Sequence, residues 1–413
     1  MLHERYMRAA LLYNQRRFAD AERELRDLLT NDPEQPEALQ LLAATFLAQN
    51  RVSEAKSAAQ SVLGISPASA DAHDLLARIE LVDENARIAE EHAMKAVELE
   101  PGDSGHYSTL AFVLLRRTEM QRALEAADRG LAINPEDLSC LNMRTEALAR
   151  LGRKEEADRT IHKTLELDPE NPYTHSNTGW AVLRRGDHKK ALEHFREALR
   201  RDPMNQHAKA GLVEALKARY WLYRVFLGYM FWVSNLKDGA RWALILGLYF
   251  GNRVLSALTV SYPALAPFIW PLIIAYLLFA LSTWVMVPVS NLFLRLNKYG
   301  RYALDREETV SSTFTGVSLL LAIGGGIGYL ATGSAGLLAL SIFGLVMMIP
   351  LASMLGGKKK GKAILVGTAG VLAVVGLFGV AIAFRTGDPM NQVMGFFIPA
   401  NVAYQFLANW VRQ

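Results

Sequence analysis

The chain has 413 residues, one cysteine and a formal net charge of +4, and half of its residues are hydrophobic. This length leaves room for two or three domains, and a single cysteine excludes a disulfide within the chain. The charge is uneven: residues 1–205 carry 28 Lys and Arg against 35 Asp and Glu, whereas the later residues carry 17 against 6. An acidic half joined to a basic, apolar half argues against nucleic-acid binding and favours attachment to a membrane.

The first 205 residues repeat with a period of 34. Six prolines keep this interval: Pro33, Pro67, Pro101, Pro135, Pro169 and Pro203. An alanine keeps it too: Ala21, Ala55, Ala89, Ala123, Ala157 and Ala191. We divide the segment into six units, 2–35, 36–69, 70–103, 104–137, 138–171 and 172–205. Because proline cannot continue a helix, each unit is expected to hold a helix, a turn and a second helix. The constant period predicts a stacked array.

Small residues recur at the eighth position of the units, where helices must approach closely: Ala9, Ala43, Ala77, Ala111, Thr145 and Gly179. The 34-residue unit with its small, small and proline positions resembles the tetratricopeptide repeat family over residues 2–205. The resemblance implies an all-α, right-handed superhelical solenoid whose concave face, lined by the first helices, holds an extended or helical peptide. The third unit departs from the family pattern at Glu80 and Glu84, so we expect it to be irregular.

Basic and aromatic side chains mark the first helices of the later units. Arginines occupy the thirteenth position of the last three units and the ninth of the third: Arg116, Arg150, Arg184 and Arg78. Aromatic residues fall at neighbouring positions: Phe112, Tyr173 and Trp180. Such a surface would suit an acidic peptide or a C-terminal carboxylate. The alternative is that these arginines only interact with the helix dipole and solvent.

Residues 207–219 follow the last repeat and are interpreted as its capping helix, which gives a cytoplasmic array over 1–219. The next segment, 220–241, is rich in aromatic and basic residues. It is short for a bilayer, so we expect an interfacial helix with its rings at headgroup depth. A helix that crosses the membrane is the alternative.

Residues 242–413 are predicted to form a multi-span helical bundle. The apolar stretches have the length needed to cross a bilayer: 242–262, 264–289, 312–331, 335–355, 363–384 and 392–411. Basic residues such as Arg241, Lys298, Arg301 and Lys362 flank alternate connections. The positive-inside rule then places both termini in the cytoplasm. The first two stretches could instead form a re-entrant hairpin, because three prolines interrupt them.

Polar residues within the apolar stretches are few. They are Asn252, Arg253, Asn401, Gln405 and Asn409. The last three recur every four residues and share one helix face, which would line a polar pathway or bond to a neighbouring helix. The glycines of the later stretches, such as Gly325 and Gly376, predict close helix packing.

No sequence signature of catalysis, a cofactor or a metal site emerges. The segment Gly356–Lys362 imitates a phosphate-binding loop, but Ala363 replaces the Ser or Thr that holds magnesium, and it joins two apolar stretches. The nine histidines lie at or before residue 207 and none is three or four residues from another on a helix. Cys140 has no evident base partner. We therefore predict a protein that is not an enzyme.

The sequence favours a membrane-anchored scaffold of the bacterial inner membrane. Its groove would recruit a protein or peptide, and its bundle would contact membrane lipids and other membrane protein subunits. A transporter or channel subunit with a regulatory array is the alternative. A membrane-embedded lipid or glycan enzyme is disfavoured because it would need acids or histidines at the interface.

Overall fold

The structure, a computed structural model, describes residues 2–295, 304–355 and 359–412, and within these ranges it contains helices and no strand. The repeat segment and its extension are built from α1 Leu2–Asn14, α2 Phe18–Asn31, α3 Pro36–Ala48, α4 Val52–Ile65, α5 Ala70–Val82, α6 Ala86–Leu99, α7 Ser104–Arg116, α8 Met120–Ile133, α9 Leu138–Leu151, α10 Lys154–Leu167, α11 Pro172–Arg184, α12 His188–Arg201 and α13 Gln206–Lys217. The apolar part is built from α14 Trp221–Ser234, α15 Asp238–Ser261, a 3₁₀ turn Pro263–Leu265, α16 Ala266–Arg295, α17 Arg306–Thr332, α18 Ala335–Ser353, α19 Lys359–Thr386 and α20 Gln392–Arg412.

The predicted repeats are confirmed. The first helices begin 34 residues apart, from Leu2 to Pro172, and each second helix ends two residues before the repeated proline. All six repeated alanines are completely buried, which leaves no room for a larger side chain between the paired helices. Each first helix also packs on the first helix of the next repeat, as a stacked array requires.

The turn inside every repeat passes through the left-handed region. The residues with positive φ recur every 34 residues: Arg16, Asn50, Glu84, Thr118, Gly152 and Gly186. Only the last two are glycine, the residue that adopts this conformation without steric cost.

The expectation of an irregular third unit is wrong. Glu84 has a φ of 62°, close to that of the other turn residues, so the turn forms without glycine. Glu80 is buried, but its carboxylate lies 2.7 Å from Lys56 Nζ and accepts a hydrogen bond from Asn85. Because a paired and hydrogen-bonded acid is tolerated inside a protein, the apolar residue of the family pattern is not needed here.

The chain divides into two compact units, Met1–Gly211 with Ser234–Lys237, and Leu212–Val233 with Asp238–Gln413. In the second unit α18, α19 and α20 enclose a core that contains Phe343, Phe397 and Tyr404. α17 and α18 approach closely through glycine. A Cβ atom added at Gly325 would lie 2.6 Å from the backbone nitrogen of Ser341, and the Ser318 hydroxyl donates to the Gly344 carbonyl at 2.8 Å.

Four helices of the described segments are long and apolar enough to cross a membrane: Gly239–Ser261, Arg306–Thr332, Ala335–Ser353 and Gly361–Thr386. They match four of the six predicted stretches. The other two are also helical, since 264–289 falls almost entirely within α16 and 392–411 falls in α20. The predicted loop residues Lys298 and Arg301, and residues 356–358 of the basic loop, lie outside the described residues.

Candidate partner-binding groove

The first helices of the last three repeats lie side by side. α7 packs on α9 and α9 packs on α11. Arg116, Arg150 and Arg184 occupy the same position at the C-terminal ends of these three helices. The arginines of the sequence pattern therefore form a row across neighbouring helices, where the negative end of each helix dipole favours a cation.

Two of these arginines line a cavity of about 190 Å³ formed by α9, α11 and the start of α13. The lining residues are Glu146, Ala149, Arg150, Asn177, Trp180, Ala181, Arg184 and His207. The cavity thus joins a charged wall to an aromatic and aliphatic wall. We refer to it as the repeat 5–6 cavity.

Among the described residues, the charged wall holds two guanidinium groups and one carboxylate. Arg150 forms an ion pair with Glu146 and donates from Nη1 to the Leu115 carbonyl at 3.0 Å. Burial lowers the pKa of Arg184, the charge of Arg150 acts in the same direction and Glu146 opposes them, and the resulting pKa is about 10. Arg184 remains a cation at neutral pH, so the described residues of this wall carry an excess of positive charge.

One buried donor among the lining residues, Arg150 Nε, has no acceptor among the described residues. A buried donor without a partner costs about 1–3 kcal/mol. An acceptor-rich ligand would remove that cost.

The aromatic wall is held in place by hydrogen bonding and ring contacts. Trp180 Nε1 donates to the His207 carbonyl at 3.2 Å. The Trp180 ring lies 5.4 Å from the His207 ring and 5.7 Å from the Phe195 ring, measured between centroids. A fixed indole of this kind offers a rigid apolar surface at low entropic cost.

The other predicted groove residues lie outside the cavity. Phe112 and Tyr173 are exposed on α7 and α11, with 37% and 44% of their surfaces accessible. Arg116 is exposed at the end of α7. Arg78 lies on α5 in the third repeat and pairs with Asp74 of its own helix at 3.0 Å.

Sequence reasoning missed Glu146, Asn177 and His207. The signal for Glu146 was present, because it occupies the ninth position of its unit, the position of Phe112 and Trp180. His207 could not be found from the period, since it belongs to α13 and reaches the cavity only through packing.

The polar residues of the apolar part lie on two helices. Asn252, half-buried, and Arg253, exposed, are on α15. On α20, Asn401 is buried and donates to the Phe397 carbonyl of the same helix at 2.9 Å, whereas Gln405 is half-buried and Asn409 is exposed. Although these three residues are spaced four apart, they lie in three different environments.

Two tetratricopeptide repeat family profiles match the chain, over residues 12–79 and 143–205. No curated protein matches the chain. Residues 2–205 are therefore a tetratricopeptide repeat segment, a module of protein–protein interaction found generally in scaffolds rather than catalysts.

The chain is also similar, at low identity, to solved structures. YrrB, described as a tetratricopeptide repeat protein with an unusual peptide-binding site, is 20% identical, with 45% of this chain and 95% of that chain covered and a TM-score of 0.32. PilF of Pseudomonas aeruginosa is 16% identical, with coverages of 51% and 95% and a TM-score of 0.40. The Cut9–Hcn1 hetero-tetramer of the APC/C is 18% identical, with coverages of 52% and 43% and a TM-score of 0.45.

Proposed function

We propose that this protein is a membrane-anchored scaffold whose repeat array recruits an acidic segment of a partner protein. The observation that carries the proposal is the repeat 5–6 cavity, whose described lining residues include the cations Arg150 and Arg184 and one carboxylate, that of Glu146. A partner carboxylate would balance the excess charge. Its oxygens would also accept from the unsatisfied Nε donor of Arg150.

The aromatic wall adds a second requirement on the partner. Trp180, Ala149 and Ala181 present apolar surface beside the cations. An acidic residue next to an apolar side chain, or a C-terminal carboxylate on an apolar residue, would use both walls. In the proposed complex the partner lies along the row of first helices.

Attachment to a lipid bilayer is supported by the second unit. Its long apolar helices match the thickness of a hydrocarbon core, and the basic residues Arg224 and Lys237 precede the first of them. α14 buries Tyr223 and Phe226 but exposes Trp221 and Trp232, as an interfacial helix would. We place the array and both termini in the cytoplasm, and the bundle in a bacterial inner membrane beside lipids and other membrane subunits.

Partner capture tests the groove. Full-length tagged protein is purified from native membranes in mild detergent, and co-purified proteins are identified by mass spectrometry. The variant is Arg184→Gln, and the matched control is Arg116→Gln, which removes the same charge at the same repeat position outside the cavity. We expect one set of partners with the wild type and the control and its loss with Arg184→Gln. Equal recovery from both variants, or no partner from the wild type, would refute the proposal.

Sidedness tests the anchor. Cysteines are introduced singly at the exposed positions Ser61, in the array, and Asp388, between α19 and α20. A membrane-impermeant maleimide applied to intact spheroplasts should label residue 388 and not residue 61, and inside-out vesicles should reverse the result. Labelling of both positions from one side would contradict the proposed topology.

A further inference from the structure

Two histidine pairs occupy equivalent places in the array. His73 on α5 faces His92 on α6 with 2.9 Å between their Nδ1 atoms, and His175 on α11 faces His194 on α12 with 3.1 Å. They stand at the fourth and twenty-third positions of the third and sixth repeats. Each pair therefore joins the two helices of one repeat.

The proton positions in the sixth repeat follow from its contacts. His175 Nε2 lies 2.9 Å from the Pro169 carbonyl, which can only accept, so this nitrogen carries a proton. In the neutral ring Nδ1 of His175 is then an acceptor. The 3.1 Å contact is consequently a hydrogen bond that His194 Nδ1 donates to His175 Nδ1. The third repeat repeats this arrangement, because His73 also bonds to the backbone of the preceding proline, Pro67.

This geometry limits the number of protons that the pair accepts. A first added proton on His194 Nε2 preserves the bond between the rings but introduces a charge into a crowded site. A second proton, on His175 Nδ1, leaves two donors facing each other and breaks the bond. An unfolded chain accepts both protons at its ordinary histidine pKa of about 6.5.

Surrounding charges differ between the two pairs. At the sixth repeat, burial lowers the pKa of His194, the charges of His175 and Lys190 act in the same direction, and the resulting pKa is about 4. The nearby acids Glu170 and Glu197 are both engaged by Arg201. At the third repeat, burial again lowers the pKa of His92, but Glu80 and Glu91 oppose the shift while Lys56 adds to it. Burial also lowers the pKa of His73, and the charges of His92 and Lys95 act in the same direction while the hydrogen bond to the Pro67 backbone opposes them.

We infer that the His175–His194 pair is an acid-sensitive lock that holds α11 against α12 and thereby regulates the repeat 5–6 cavity. α11 supplies Asn177, Trp180 and Arg184 to that cavity. Release of α11 from α12 would separate these groups from Arg150 and Glu146 on α9. The regulatory role rests on the proposed function of the cavity, whereas the lock itself does not.

The direction of the pH effect follows from proton linkage. The folded pKa of His194 lies below the unfolded value, so the stabilisation is fully present above about pH 6.5 and is lost as the pH falls toward 4. At pH 5 the unfolded form of the helix pair binds more protons than the folded form. After allowance for the partial exposure of His194, we expect the opening equilibrium of this helix pair to rise about tenfold.

Hydrogen–deuterium exchange of the full-length protein in detergent micelles tests the lock without any partner. Exchange is measured at pH 7.5 and 5.0 with correction for the intrinsic rates. Peptides from 172–201 should lose about tenfold more protection at pH 5.0 than peptides from 138–167, where Leu141 and Thr160 replace the two histidines. The double variant His175→Leu, His194→Ala copies Leu39 and Ala58 of the second repeat and should abolish the difference.

Equal loss of protection in the two helix pairs would overturn the lock, and so would an acid response that survives in the double variant. A second arm carries the regulation. Partners captured at pH 7.5 should elute at pH 5.0 from the wild type and be retained by the double variant. If nothing is captured at pH 7.5 the proposed function fails, while the exchange result still decides whether the lock exists.

Discussion

Gly179 of α11 lies directly against the Phe195 ring of α12. A Cβ atom added at residue 179 would be 2.6 Å from Cε1 of that ring, far inside van der Waals contact. In the other repeats the eighth position holds alanine or threonine, and the residue facing it is smaller than phenylalanine: Leu25, Ala59, Ala93, Ala127 and Ile161. In the sixth repeat the smaller residue on the first helix, Gly179, is therefore compensated by a larger one on the second, Phe195.

We predict that Gly179→Ala destabilises the array by about 1–3 kcal/mol, because the buried Phe195 ring is also in close contact with Gly211 and would have to shift. Thermal unfolding of the full-length protein followed by circular dichroism measures the effect. The double variant Gly179→Ala, Phe195→Leu, which imitates the first repeat, should recover most of the loss. A single variant as stable as the wild type would show that the ring does not set the helix spacing.

The register of the array was predictable from sequence because its determinants are local. The six repeated prolines end helices because the proline ring cannot continue a helix. Each repeated alanine marks a position where two helices are too close for a larger side chain. The regular third repeat was not predictable. Glu80 is stabilised by Lys56 of the preceding repeat, and a contact across repeats leaves no mark in a single unit.

Thr118 has a φ of 59°, in the region that glycine occupies in the fifth and sixth repeats. A β-branched residue in this conformation costs about 1–2 kcal/mol, while glycine costs about 0.5–1 kcal/mol in lost chain entropy. We predict that Thr118→Gly stabilises the array by about 0.5–1 kcal/mol. Chemical denaturation of the full-length protein in detergent provides the measurement.

The reverse change is the control for this turn. Gly152→Ala places a side chain at a φ of 75° with no atom within 4 Å of the new Cβ, so only backbone strain is added. We expect a loss of about 1 kcal/mol. If both substitutions shift the unfolding midpoint in the same direction, the conformation of the turn is not what limits stability.

The repeat 5–6 cavity was half predictable. Arg150 and Arg184 follow from the period, and Trp180 follows from its place one turn before Arg184. Neither Asn177 nor the histidine pairs can be predicted from the period. His175 and His194 are 19 residues apart, and only the antiparallel packing of α11 on α12 brings their rings together. A search for histidines three or four residues apart on one helix cannot detect such a pair.

Cys140 tests the packing between α8 and α9. The thiol is buried, Gly130 leaves just enough space for its Sγ atom, and burial raises the thiol pKa to about 12. At pH 8 the thiolate is therefore a fraction of about 10⁻⁴, compared with about a tenth to a quarter for a free cysteine. We predict that a maleimide leaves Cys140 unmodified in the folded protein and reacts within minutes in denaturant. Rapid labelling of the folded protein, read by mass spectrometry, would mean that this helix pair opens readily.

The close contact of α17 with α18 yields a prediction with a neighbouring control. A Cβ atom at Gly325 would lie 2.6 Å from Ser341 N and 2.7 Å from the Leu337 carbonyl oxygen, whereas one at Gly324 would have no atom within 4 Å. Backbone atoms cannot rotate away as a side chain would, so Gly325→Ala forces the helices apart and should cost about 1–3 kcal/mol. Gly324→Ala should be neutral or slightly stabilising, since alanine is the better helix former.

Thermal unfolding in detergent compares both variants with the wild type. After heating, size-exclusion chromatography measures the fraction of each protein that is still folded. Equal midpoints for the two variants would show that the helices are held together elsewhere along their length. A loss of thermal stability in Gly325→Ala alone would establish that small residues at this contact hold the two apolar helices together. The hydroxyls of Ser318 and Ser341, which donate to carbonyls of the opposite helix, belong to the same contact.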